Sequence, residues 1–139
     1  MITKPGDIFE VRIAEGKVAY AQALSEPEFA FYESLPINNL IPMFRIWVHK
    51  SAIKEWKKIG NEAISREMES EIPRFKQDPI NGNLSIYINN NDQPASYEEI
   101  QSLECAAVWE GSHILDRLSD HLAGRKNKWV KSMRPKLNG

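Results

Sequence analysis

The chain is poor in the residues that build covalent staples and reactive centres. Cys105 is its single cysteine in 139 residues, so no intramolecular disulfide can form, and a lone thiol suits a reducing compartment. That thiol has no cluster of basic neighbours in sequence to lower its pKa. Gly6, Gly16, Gly60, Gly82 and Gly111 stand isolated, which excludes the glycine-rich loops that cradle phosphate. No Gly-x-Ser-x-Gly elbow is present either. No apolar run approaches the ~18 residues of a membrane span. The opening Met-Ile-Thr-Lys-Pro-Gly-Asp carries no signal-peptide run, so the expected location is the cytosol.

What is there is ordinary globular material: 42% hydrophobic and 27% charged residues, enough apolar content for one core without staples. The net charge of −1 hides an asymmetry. Six of the 18 basic residues lie beyond position 124 (Arg125, Lys126, Lys128, Lys131, Arg134, Lys136), with no acidic residue among them. That leaves 12 basic against 19 acidic residues before them, a net of −7. The expected organisation is a single domain over 1–124 and a basic tail over 125–139. An acidic body repels nucleic acid and attracts basic partners, although an excess of this size also serves plain solubility.

Hydrophobic alternation marks the first half as strands. Asp7 to Ile13 places Phe9, Val11 and Ile13 on one face. Val18 to Leu24 sets Val18, Tyr20 and Leu24 against Ala19, Ala21 and Ala23, a face bare enough for a neighbour to pack closely. Ala14-Glu15-Gly16-Lys17 between them predicts a hairpin turn. Glu28–Glu33 and Met43–His49 read as further strands around a proline- and asparagine-bearing loop, with Phe44, Ile46 and Val48 inward and Arg45, Trp47 and His49 on the other face. Residues 51–68 suggest a helical turn and then a short strand. Pro73, Pro79 and Asn81-Gly82 predict a loop-rich crossing. Leu84–Ile88 is a strand, ended by the polar turn 89–92. Ser96 caps a short helix opening with Glu98 and Glu99, and 103–109 suits strand or helix. Ser112–Leu122 is a helix with Ile114, Leu115, Leu118 and Leu122 as its stripe and Gly124 as its stop. The expected fold is α+β: a curved, mainly antiparallel sheet from the N-terminal strands with this helix packed on it.

Chemistry-bearing residues are present but scattered. Glu67, Glu69 and Glu71, Glu98 and Glu99, and Asp116 and Asp120 are paired in sequence. General acid–base work instead needs two carboxylates in different environments across a cleft, so a solvated face is the simpler reading. His113, Asp116 and Asp120 share one helix face at a spacing that suits a divalent metal, but the same face is the wet side of the Ile114 stripe. The tail, with Trp129 among its basic residues, has the makings of a nucleic-acid contact through phosphate pairing and base stacking. One short tail against an acidic body more simply docks on that body or stands in solvent.

The stretches Pro5-Gly6-Asp7-Ile8-Phe9-Glu10-Val11 and Gly16-Lys17-Val18-Ala19-Tyr20-Ala21-Gln22-Ala23-Leu24 resemble the opening hairpin of the immunity protein 26 family. Leu103-Glu104-Cys105-Ala106-Ala107-Val108-Trp109-Glu110, continuing through His113–Leu118, is similar to that family's closing pattern. So are Trp56-Lys57-Lys58-Ile59-Gly60 and the stretch from Gly124-Arg125 to Trp129. The resemblance spans most of the chain and is anchored at its two ends. It implies a non-catalytic, cytosolic inhibitor, without cofactor or metal, that binds the C-terminal toxin domain of its own polymorphic or contact-dependent inhibition system. Such toxins are often nucleases with basic clefts, which carboxylates can occupy in place of phosphate.

The carboxylates expected at such a contact are Glu26, Glu28, Glu33, Glu67, Glu69, Glu71, Asp92, Glu98 and Glu99, because loops rather than the hairpin should carry specificity. Two rival functions come from other classes: a nucleic-acid-binding module using the tail, and a small hydrolase working through scattered carboxylates.

Overall fold

The computed structural model describes residues 3–38 and 40–135. Lys136 and Leu137 of the tail, Asn39 of the first loop and the first two residues lie outside them. The fold is α+β, with ten strands among the described residues in two mainly antiparallel sheets.

The predicted hairpin forms from β1 (Asp7–Arg12) and β2 (Val18–Ala23), joined by a single 3-10 turn in which Glu15 and Gly16 both take positive φ. Strands β3 (Glu28–Tyr32) and β4 (Phe44–Val48) extend the sheet in sequence order. Their alternation makes two faces. The register sets Ala21 between Phe9 and Phe31. Trp56 meets Phe31 and Phe29 edge-on at ring separations of 5.7 and 5.4 Å, with Phe9 at 6.1 Å. The alanine face of β2 therefore sits among bulky rings, where a larger side chain would compete with the indole for space.

The ambiguous middle resolves into the helical turn α1 (Lys50–Ile53) and the strand β5 (Lys57–Asn61), which pairs with β1 at the sheet edge. Gly60 and Asn61 close this strand. A four-residue turn, α2 (Arg66–Glu69), follows.

The expected loop-rich crossing contains a strand instead. β6 (Arg74–Gln77) pairs antiparallel with β7 (Leu84–Ile88), and β7 pairs with β8 (Asn91–Pro94) across Asn89 and Asn90, both at positive φ. Asp92 thus belongs to a strand, not to a turn. Two-residue strands β9 (Glu104–Cys105) and β10 (Val108–Trp109) add in parallel to β6 and β4. The result is a six-stranded sheet ordered β10-β4-β3-β2-β1-β5 and a four-stranded sheet ordered β8-β7-β6-β9, where a single sheet was expected.

Ser96 and Glu99 exchange the reciprocal bonds of a capping box, at 2.9 and 3.2 Å. The segment behind them nevertheless forms successive turns rather than a helix.

Helix α3 (Gly111–Leu122) buries Ile114 and Leu118 in the main core, which also holds Phe9, Phe31, Ile46 and Trp109. Residues 128–133 form α4 (Lys128–Met133), capped by the Asn127 side chain. Trp129, Val130 and Met133 of α4 pack on the main core.

The opposite face of the large sheet holds a second buried apolar cluster, Ile8, Leu24, Ala30, Tyr32 and Ile37, and a buried group of charges. Glu28 on β3 accepts both Arg45 guanidinium bonds at 3.0 Å and a third from Arg74 on β6 at 2.8 Å. Arg74 also donates to the Arg45 carbonyl oxygen and lies 4.8 Å over the Trp47 ring. All three charged side chains are buried, and this triad ties the small sheet to the large one.

Candidate functional site: an apolar trough with a carboxylate rim

Residues 35–38 and 40–42, together with residues 59–68, wall two depressions. The larger, about 680 Å³, has Ile37, Leu40, Ile41 and Met68 as apolar walls and Tyr32 and Glu67 among its polar ones. The smaller, about 370 Å³, lies between Leu35 and Pro36 on one side and Ile59 to Glu62 on the other, with Ile8 also lining it. Leu35, Leu40, Ile41 and Ile59 are 44%, 39%, 91% and 40% exposed. Two large exposed apolar side chains at each depression, with Glu67 at one and Glu62 at the other, have the anatomy of a protein contact.

The N-terminal motif shapes this trough. Gly6 takes φ +94°, and a Cβ there would run into the Glu62 carbonyl oxygen. The Glu62 amide donates to the Gly6 carbonyl at 3.0 Å, and Gln22 Nε2 donates to the Glu62 carbonyl at 3.0 Å. Asn61 Nδ2 donates to Asp7 Oδ1 at 2.9 Å, and Lys58 Nζ lies 3.2 Å from the same oxygen. Burial pushes the Asp7 carboxyl up, but bonds from Asn61, the Lys4 amide and Lys58 outweigh it and hold the group below its ordinary value. Pro5-Gly6-Asp7 is thus a clamp on the end of β5. On the trough floor, burial raises the Tyr32 phenol against the opposing charge of Arg45, so it stays protonated at neutral pH.

The expected contact carboxylates divide. Glu67 lines the larger depression, Glu69 is exposed on the same turn, and Glu33 leaves β3 at the head of the loop that walls the trough. Glu28 is the correction: it is buried under two guanidinium groups and presents no carboxylate to a partner. Glu26 lies exposed in the turn before β3 and lines a separate groove with His49 and Val108. Glu71 accepts from the Asn89 amide, and Asp92 faces Lys76 at 3.5 Å. Glu98 and Glu99 sit in the turns after Ser96, where bonds from the Ser96 amide and hydroxyl hold Glu99 below its ordinary pKa. The residue that sequence reasoning missed is Glu62. No local pattern marks it, because its place depends on Gly6, 56 positions earlier.

The helix face carrying His113, Asp116 and Asp120 holds α4. His113 stacks on Trp129 at 3.7 Å, Asp116 accepts from Trp129 Nε1 at 2.9 Å, and Asp120 accepts from Arg125 and Asn127. One face of the only tail aromatic is therefore occupied by a histidine. Arg134 donates to the carbonyls of Ile100, Gln101 and Leu103 and lies over Phe75. Those contacts spend two of the groups that base stacking and phosphate pairing would need. Burial raises the Cys105 thiol, helped by Glu104 and opposed by Arg134, which makes it a poor nucleophile at neutral pH. Among the described residues no three His, Cys, Asp or Glu side chains come together, and no helix is long and apolar enough to cross a membrane.

No family model, no curated protein and no solved structure matches this chain.

Proposed function

We propose that this chain is a cytosolic, non-catalytic binding protein of the immunity type, which neutralises a cationic toxin domain, most simply a nuclease, by direct contact. The observation that carries the reading is the trough: exposed Leu40 and Ile41 line one depression with Glu67, and exposed Leu35 and Ile59 line the other with Glu62. Apolar side chains at the centre of a contact set its lifetime, while carboxylates around them speed capture of a basic surface and choose among partners. The resemblance to immunity proteins at both ends of the chain supports the same class of function.

The test is a binding titration against the toxin domain encoded beside this gene. The expected result is a 1:1 complex whose affinity falls as salt rises from about 50 to 500 mM, a range over which the screening length shortens more than threefold. The absence of a complex would sink the reading, and a salt-independent affinity would remove its electrostatic part.

A further inference from the structure

Strand β5 ends the large sheet: it pairs with β1 on one side, and all five of its residues are exposed. An unpaired strand edge offers backbone donors and acceptors to an incoming extended segment. The smaller depression opens beside this strand, walled by Leu35, Pro36 and Ile59. Glu62 also lines it, and the Glu62 Oε2 atom is buried with no hydrogen-bond donor among the described residues. A carboxylate oxygen removed from water is costly until a donor meets it.

These three observations fall at one place, and from them we infer that β5 receives an extended segment of the partner. That segment pairs along Lys57–Asn61 and lays one lysine or arginine side chain into the groove. The aliphatic stem lies against Leu35, Pro36 and Ile59, and the cationic head meets the Glu62 carboxylate once that side chain turns its buried Oε2 toward the groove. Lys58 does not oppose this, because its ammonium is held by Asp7. Of the other outer strands, β9 and β10 are only two residues long, and β8 is a poorer edge because Pro94 removes a backbone donor from its four residues. The inference rests on the protein-capture reading and names the chemistry it uses at this groove.

The test titrates two blocked pentapeptides into the isotope-labelled full chain and follows backbone amide shifts. The probes are acetyl-Thr-Val-Lys-Val-Thr-amide and the same peptide with neutral norleucine in place of lysine. The lysine peptide should shift the amides of Lys57–Glu62 and Leu35 and bind at least about tenfold more tightly than the norleucine peptide, a gap of about 1.4 kcal/mol. Glu62→Gln should erase that gap, while Glu67→Gln, in the neighbouring depression, should preserve it. Equal binding of the two peptides, shifts centred on Asn91–Pro94, or no shift at about 5 mM peptide would each overturn the assignment. A chain that binds the toxin domain but neither peptide would refute the β5 groove and leave the capture reading standing. A chain that binds the lysine peptide but no toxin domain would do the reverse.

Discussion

The two faces of the six-stranded sheet are closed by different physics. On one, Phe9, Phe31, Ile46, Ile114, Leu118 and Trp109 form a dry core under α3, stabilised by apolar area removed from water. On the other, a smaller apolar cluster of Ile8, Leu24, Ala30, Tyr32 and Ile37 is joined by one buried carboxylate shared by two guanidinium groups, through which the small sheet is held, and the uncovered remainder opens into depressions lined in part by Glu62 and Glu67. A dry face tolerates swaps that conserve volume. A charged face does not tolerate loss of one partner, because the remaining charges stay buried and unmatched. Burial pulls Arg74 below its ordinary pKa, while the opposing charges of Glu28 and Glu104 support the guanidinium form. That balance fails if Glu28 is lost.

The contrast can be broken at the triad first. Glu28→Ala strands two buried guanidinium groups and should cost about 3–5 kcal/mol, read as a lower denaturant midpoint. Replacement of Glu28, Arg45 and Arg74 together by apolar residues of similar volume should recover much of that loss, since no charge is then left unpaired. On the dry face, Leu118→Ala should cost about 2–5 kcal/mol through a cavity under α3, with no change in the slope of stability against pH.

The smallest effect is expected at Asp7. Its folded pKa is depressed, so its contribution is fully present above the unfolded aspartate value of about 4 and is lost as pH falls through the lower folded value. Asp7→Asn should therefore flatten the acid limb of the stability curve below about pH 4 and leave its slope at neutral pH unchanged.

The same contrast explains what was legible in the sequence. The dry face announces itself locally. Alternation in Phe9-Val11 and Phe44-Ile46-Val48, and the Ile114–Leu118 spacing, are read within a few positions, and those elements form where the pattern puts them. The charged face is written at long range. Glu28 meets Arg45 across 17 positions and Arg74 across 46, so Glu28 reads as one more surface acid.

Strand β6 hides between Pro73 and Pro79, and β5, expected as a short strand within 51–68, runs through Lys-Lys-Ile-Gly-Asn, where no alternation marks its bounds. Ser96 does bond as a helix cap, yet the turns behind it are satisfied by Arg134 from the far end of the described chain. Of the candidate site, Glu33, Glu67 and Glu69 were visible as exposed acids. Their apolar companions Leu35, Leu40, Ile41 and Ile59 carry no local signal that they gather in one trough.

The central claim is that this trough is the binding surface, and one comparison tests it most directly. Ile41 and Ile80 are nearly equally exposed, at 91% and 94%, but Ile80 lies in the turn between β6 and β7, outside the trough. Either substitution by aspartate should change stability by no more than about 0.5 kcal/mol. The toxin domain should bind Ile41→Asp at least about tenfold more weakly than the unaltered chain and bind Ile80→Asp as before. Equal affinity for the two variants would contradict the account.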